Sequence, residues 1–158
     1  MLVMSDELRA EIKQGRPFGS VSQEAFLNLM RTSAILDHAF AEGIKPYGVT
    51  PTQYNVLRIL RGAGRDGLCR NEVRDRMITQ VPDATRLLDR LEDAGYVERK
   101  REGADRRFVT ARITRAGLDL LDSMDEALAV LHERQLGHLT APELRQLSRL
   151  LTKARRTG

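Results

Sequence analysis

Two groups of side chains have types and spacings that could do chemistry, and for both the chemistry is recognition of a polyanion. The first is Gln80, Pro82, Asp83, Thr85, Arg86 and Arg90. Arg86 and Arg90 stand four residues apart, so on a helix they share a face, opposite Leu87 and Leu91. An arginine fork fits guanine O6 and N7 and a glutamine amide fits adenine, so these types at a helix N-terminus suit the edges of base pairs. The same pattern also describes a solvated helix laced by Asp83–Arg86 and Asp89–Arg90 pairs. The second group lies between Tyr96 and Arg107, where five basic residues (Arg99, Lys100, Arg101, Arg106, Arg107) face three acidic ones (Glu98, Glu102, Asp105). Positive charge concentrated at a hairpin tip repels itself unless phosphates neutralise it. A narrow minor groove attracts inserted arginine, and Asp105 stands where it can orient the Arg107 guanidinium by an ion pair. The plain alternative is a soluble charged turn.

Other chemistries find less support. Cys69 shares a stripe with Val73 and Met77, which reads as a small buried hydrophobe; redox sensing is the alternative, because Arg65 and Arg70 nearby would lower the thiol pKa if it were exposed. His38 with Glu42 forms one helical pair, and His132 and His138 are six apart, so no zinc-ligand spacing is present and no metal or cofactor is expected. There is no glycine-rich phosphate loop and no nucleophile elbow, so the chain is not expected to be an enzyme. Aromatic residues make up 4% with no Trp, which argues against a stacking platform for single strands. The 158 residues carry a formal charge of +4, with 41% apolar and 30% charged residues, as in a globular chain with a mild bias towards polyanions. No apolar run has the length of a spanning helix and no secretory leader is evident, so no membrane association is expected. A single cysteine fits a reducing, intracellular location, which DNA binding would make cytoplasmic and nucleoid-associated.

The elements that must position these groups follow from periodicity. Residues 1–20 read as an arm, with a short helix over Glu7 to Gln14 broken by Gly15, Pro17 and Gly19. Ser20 or Ser22 can cap a helix running to about Glu42, with Ala25, Leu29, Leu36 and Phe40 at helical spacing and Phe26 and Met30 widening the stripe. Thr50 to Gln53, TPTQ, is a capping box with proline at the first helical position, and Val56, Leu57 and Leu60 give its helix a buried face. A short helix carries Cys69, Val73 and Met77. The next begins near Pro82, buries Ala84, Leu87, Leu88, Leu91 and Ala94, and stops at Gly95. The period then changes to two: Val109, Ala111 and Ile113 share one face of a hairpin strand, with Gly103 near the tip. Thr114 can cap a long helix with Leu121, Met124, Leu128 and Leu131, and TAPE at Thr140 to Glu143 opens a last one with Leu144, Leu147, Leu151 and Ala154. These seams are long for one small core, so part of their surface is expected to meet a second chain, an intramolecular bundle being the alternative. The class is mainly α with a small antiparallel β-hairpin (α+β): a winged helix-turn-helix core, in which the second helix of the pair enters the major groove.

The segments QYNVLRIL, TRLLDRLEDAGYVERKREGADRR and ITRAG resemble the MarR family of bacterial transcription regulators, over roughly residues 21–155. Asp105 and Arg107 match its Asp-x-Arg wing signature and Thr114 and Gly117 its Thr-x-x-Gly. The resemblance implies a homodimer: residues 21–49 and 115–158 supply dimerisation helices, and residues 50–114 form the DNA-binding winged helix-turn-helix, all within one domain. It implies binding to a pseudopalindromic double-stranded operator and repression of nearby genes, relieved by a small, phenolic or lipophilic effector. The expected DNA contacts are Gln80, Pro82, Thr85, Arg86, Arg90, Arg99, Arg106 and Arg107, with Asp105 aiming the wing. Family geometry would put an effector pocket among Asn28, Arg31, Thr32, Ile35, Tyr54 and Leu121. Pro82 and Asp83 depart from the Ser or Thr of many relatives, and Asp83 is expected to cap its helix rather than accept from cytosine. Two alternatives stay open: a redox-responsive regulator sensing through Cys69, and a winged-helix module for protein contact.

Overall fold

The computed structural model describes residues 4–101 and 109–156, which fall into two compact units, Met1–Phe40 and Ala41–Gly158. The first unit holds α1, Met4–Glu11, and most of α2, Val21–Ile44. Leu8 on α1 is buried, and Arg31 of α2 donates through Nε to Glu11 Oε1 at 2.8 Å. The α2 cap is Ser20: its Oγ accepts from the Gln23 backbone at 3.1 Å, while the Gln23 amide oxygen accepts from Gly19 N–H at 2.6 Å. That reciprocal pair satisfies donors that a helix start leaves orphaned. The arm helix ends at Glu11, short of the expected Gln14, and Lys13 adopts a left-handed φ of 54° just beyond it.

The second unit is built on α3, Pro51–Ala63, whose predicted capping box is present in full. Thr50 Oγ1 accepts from Gln53 N–H at 3.2 Å and Gln53 Oε1 accepts from Thr50 N–H at 2.9 Å, with Pro51 at the first position. After a 3-10 turn, Gly64–Asp66, come β1 (Leu68–Cys69), α4 (Arg70–Arg76), α5 (Ala84–Asp93), β2 (Val97–Arg101), β3 (Val109–Ile113), α6 (Arg115–Leu136) and α7 (Ala141–Arg155). Val56, Leu57 and Leu60 of α3, Val73 of α4, Leu88 and Leu91 of α5, Val97 and Ala111 of the sheet and Leu121 of α6 form one buried cluster.

The mainly α fold with a small antiparallel sheet is as the sequence predicts, with one addition. The sheet has three strands in the order β1-β3-β2, because Leu68 and Cys69 pair antiparallel with Ala111 and Thr110. Two residues are too few to display an alternating period. Cys69 is therefore extended, at φ −74° and ψ 163°, and serves as N-cap of α4 instead of lying inside it. It is half-buried, whereas Val73 below it is buried. On β3 only Ala111 is buried; Val109 and Ile113 are as half-buried as Thr110 and Arg112.

The α5 C-terminus shows why Gly95 stands there. Tyr96 N–H reaches Leu91 O at 3.0 Å and Gly95 N–H reaches Glu92 O at 2.9 Å, the paired bonds of a Schellman turn, which needs Gly95 at φ +79°. The Thr-x-x-Gly signature has an equally local cause. Thr114 Oγ1 donates to Gly95 O at 2.7 Å and accepts from Gly117 N–H at 3.1 Å, so one hydroxyl ties the start of α6 to the end of α5. A Cβ on Gly117 would lie 2.5 Å from Tyr96 O, so only glycine permits that approach.

Candidate nucleic-acid interface

The α4–turn–α5 pair presents most of the predicted contacts. Asn55 of α3 accepts from Ile78 N–H at 2.9 Å and so holds the turn between the two helices. Gln80 and Pro82 lie exposed in that turn, and Pro82 stands two residues ahead of α5 rather than at its first turn. Asp83 is the N-cap, its Oδ1 accepting from Arg86 N–H at 2.9 Å, as the sequence predicts. A carboxylate there satisfies an orphan donor and favours the helix dipole. Ala84, Leu88 and Leu91 bury one face of α5, leaving Arg86 and Arg90 exposed on the other.

The lacing that would make this a merely solvated helix is absent. Asp83 is engaged with backbone, and Asp89 binds Arg99 at 2.6 Å. Among the described residues, no carboxylate pairs with Arg86 or Arg90. Both guanidiniums border an open groove of about 370 Å³ shared with Thr52 and Gln53 at the start of α3.

Thr85 is half-buried and its Oγ1 accepts from Arg70 Nη1 at 3.2 Å, a partner the sequence reading did not anticipate. Arginine offers only donors, so this bond leaves the threonine proton for an outside acceptor. Nothing in the local spacing relates Arg70 to Thr85; only the crossing of α4 and α5 brings them together. The two residues, with Cys69 and Arg99, line a cavity of about 410 Å³ under the sheet.

Arg99, one of the expected DNA contacts, has its guanidinium engaged by two carboxylates of α5. It does not project from the wing but lies back on α5. Its Nε donates to Glu92 Oε2 at 2.7 Å, Nη2 to Asp89 Oδ1 at 2.6 Å, and its backbone N–H to Glu92 Oε1 at 3.1 Å. The Glu92 carboxyl is held below its ordinary pKa, first by the hydrogen bond from the Arg99 side chain. Arg99 itself is raised above its ordinary value by the same bond, then by Asp89. A carboxylate whose folded pKa is depressed adds stability above its unfolded value and loses it as pH falls through the folded one. The grip is therefore intact at neutral pH, and acid titration is expected to release it only below the ordinary glutamate range; loss of the Arg99–Glu92 contact above that range, read by NMR of the Glu92 carboxyl, would contradict this.

Asp105, Arg106 and Arg107 lie outside the described residues, so the wing tip is carried by sequence alone. Of the residues named for an effector, Asn28, Arg31, Thr32 and Ile35 are exposed on α2, with Arg31 engaged by Glu11. Tyr54 on α3 is half-buried under the Arg58 guanidinium, 5.9 Å from the ring centroid, and Leu121 is buried in the core of the second unit. His38, His132 and His138 are exposed, and among the described residues no cluster of three or more His, Cys, Asp or Glu is arranged to hold a metal ion. No described helix is long and apolar enough to cross a membrane.

This geometry has close parallels. The chain matches the profile of the MarR family over residues 47–107. It is 31% identical over 126 residues to the HTH-type transcriptional repressor Mb2911 of Mycobacterium bovis, covering 79% of this chain and 88% of that one. Among solved structures, a MarR transcription factor from Planctomyces limnophilus aligns at TM-score 0.68 and 42% identity, over 85% of this chain and 98% of that one. A mutant MarR from E. coli, complexed with operator DNA, aligns at TM-score 0.72 and 28% identity, over 80% and 89%.

Proposed function

This chain belongs to the MarR family of DNA-binding transcription regulators, and from that premise we propose that it acts as a homodimer on a pseudopalindromic operator, repressing nearby genes until a small effector releases it. The observation that carries the reading is that Arg86 and Arg90 stand exposed, with no carboxylate partner among the described residues, on a helix whose N-terminus is fixed by Asp83. Exposed guanidiniums on a rigid element, beside Gln80 and Thr85, are suited to base edges in a major groove. Arg106 and Arg107 are the minor-groove residues of the proposal, and Asp105 aims them. Repression is proposed by analogy with the Mycobacterium bovis relative, whose name carries that role.

The dimer rests on uncovered apolar surface. No residue of the fifteen in α7 is buried, and Leu147 and Leu150 are 37% and 49% exposed; on α2, Phe26 and Met30 are 60% and 54% exposed. Amphipathic helices are held chiefly by burying that face, so a second chain is the natural cover. Leu147→Asp with Leu150→Asp is expected to shift the species seen by light scattering from dimer to monomer; an unchanged dimer mass would remove α7 from the interface. The function itself is tested by selection from random duplex DNA. Enrichment of a two-fold symmetric site, with half-sites about one helical turn apart, supports the reading, and no enriched duplex overturns it. An effector needs different affinities for the free and DNA-bound states. A broad panel of phenolic acids that neither shifts the melting temperature nor releases the selected site would remove that part.

A further inference from the structure

We propose that Arg99 is a positioning residue that fixes the wing against the recognition helix α5, and not a DNA contact; the inference rests on the DNA-binding reading above. Asp89 and Glu92 are three apart on α5, so both carboxylates leave the same side of the helix. One guanidinium binds both, and the backbone N–H of Arg99 binds Glu92 as well, so the strand itself is held in addition to its side chain. Arg99 pairs across the sheet with Ala111, which is buried at the centre of β3, so pinning Arg99 pins the middle of the hairpin. The side chain is 26% exposed, and its donors are directed at protein carboxylates. A planar fork holds two such acceptors in a defined direction, which an ammonium would not. The angle at which α5 and the wing meet adjacent grooves is thus set by this clamp.

Charge makes the test two-signed. Glu92→Gln removes a negative charge from the DNA-binding region, so if Arg99 were a DNA contact held back by Glu92, the variant would bind the selected site more tightly. If Arg99 positions the wing, the variant binds that site more weakly despite its extra net positive charge. Using the full chain and a site selected with the wild type, we expect Glu92→Gln and Arg99→Gln each to weaken binding roughly tenfold or more, the scale of losing a charge-assisted hydrogen bond. Hydroxyl-radical protection of the flanking minor grooves should fade while protection at the centre of each half-site persists. Arg99→Lys should fail to restore it, having charge but no fork. Tighter or unchanged binding by Glu92→Gln overturns the inference, as does rescue by Arg99→Lys. Failure of the wild type to select any duplex would instead overturn the DNA-binding reading on which it stands.

Discussion

Replacing Gly67 by alanine is expected to destabilise the second unit by about 2–6 kcal/mol, as the sum of two penalties. Gly67 has φ +69° and ψ −170°, a region essentially closed to residues with a Cβ, and holding one there costs about 1–3 kcal/mol. The new Cβ would also lie 2.6 Å from Ala111 O and 2.6 Å from Arg112 Cγ. Ala111 cannot yield easily, because it is buried and paired on both sides, with Leu68 and with Arg99. Forcing atoms into such a packed site costs about 1–3 kcal/mol more. Gly64 separates the two terms: it has φ +67° and ψ −145°, but a Cβ there meets nothing within 4 Å. Gly64→Ala should therefore lose only the strain term. Against a total stability of about 5–15 kcal/mol the difference is large. Urea unfolding at fixed protomer concentration, since a dimer's stability depends on it, reads both variants. Equal losses would show that the approach of Gly67 to β3 costs nothing.

The two glycines also mark how far the sequence could be read. Gly62, Gly64 and Gly67 cluster where α3 ends at Ala63, and glycine clusters break helices. Nothing in that cluster announces that the chain turns there to lay Leu68 and Cys69 along β3, because a two-residue strand has no period and its partner lies over forty positions away. Local grammar was legible wherever the cause is local: the Thr50–Gln53 box, Asp83 as cap, Gly95 as stop. Where the cause is tertiary, spacing is silent. Arg99 reads as one more wing cation, because the carboxylates that claim it sit across a turn on another element. The Asp89–Arg90 pair that spacing suggests is not formed, since a better-directed guanidinium takes Asp89. Arg70, meeting Thr85 only through the crossing of two helices, carried no signal at all.

Arg86→Ala should have the largest effect on DNA binding, because the proposed dimer would carry the change twice. One bidentate contact to a base is worth about 1–3 kcal/mol of discrimination. Two half-sites about one helical turn apart are distant enough for their losses to add, giving about 2–6 kcal/mol for the selected site. The backbone of Arg86 is already fixed by Asp83, so the substitution leaves the cap intact, and the loss reports the side chain alone. Its signature is selectivity: affinity for the selected site collapses towards that for random duplex, while the salt dependence of non-specific binding stays. Arg107→Ala should behave in the opposite way, reducing the slope of log affinity against log salt by about 0.9 for each phosphate-equivalent charge withdrawn, with little change in base preference. If Arg86→Ala weakened all sequences equally, Arg86 would hold the backbone, and base reading would fall to Gln80 and Thr85. A Thr85→Val comparison would then decide the matter, since valine keeps the shape of threonine but removes the hydroxyl that Arg70 leaves free to donate.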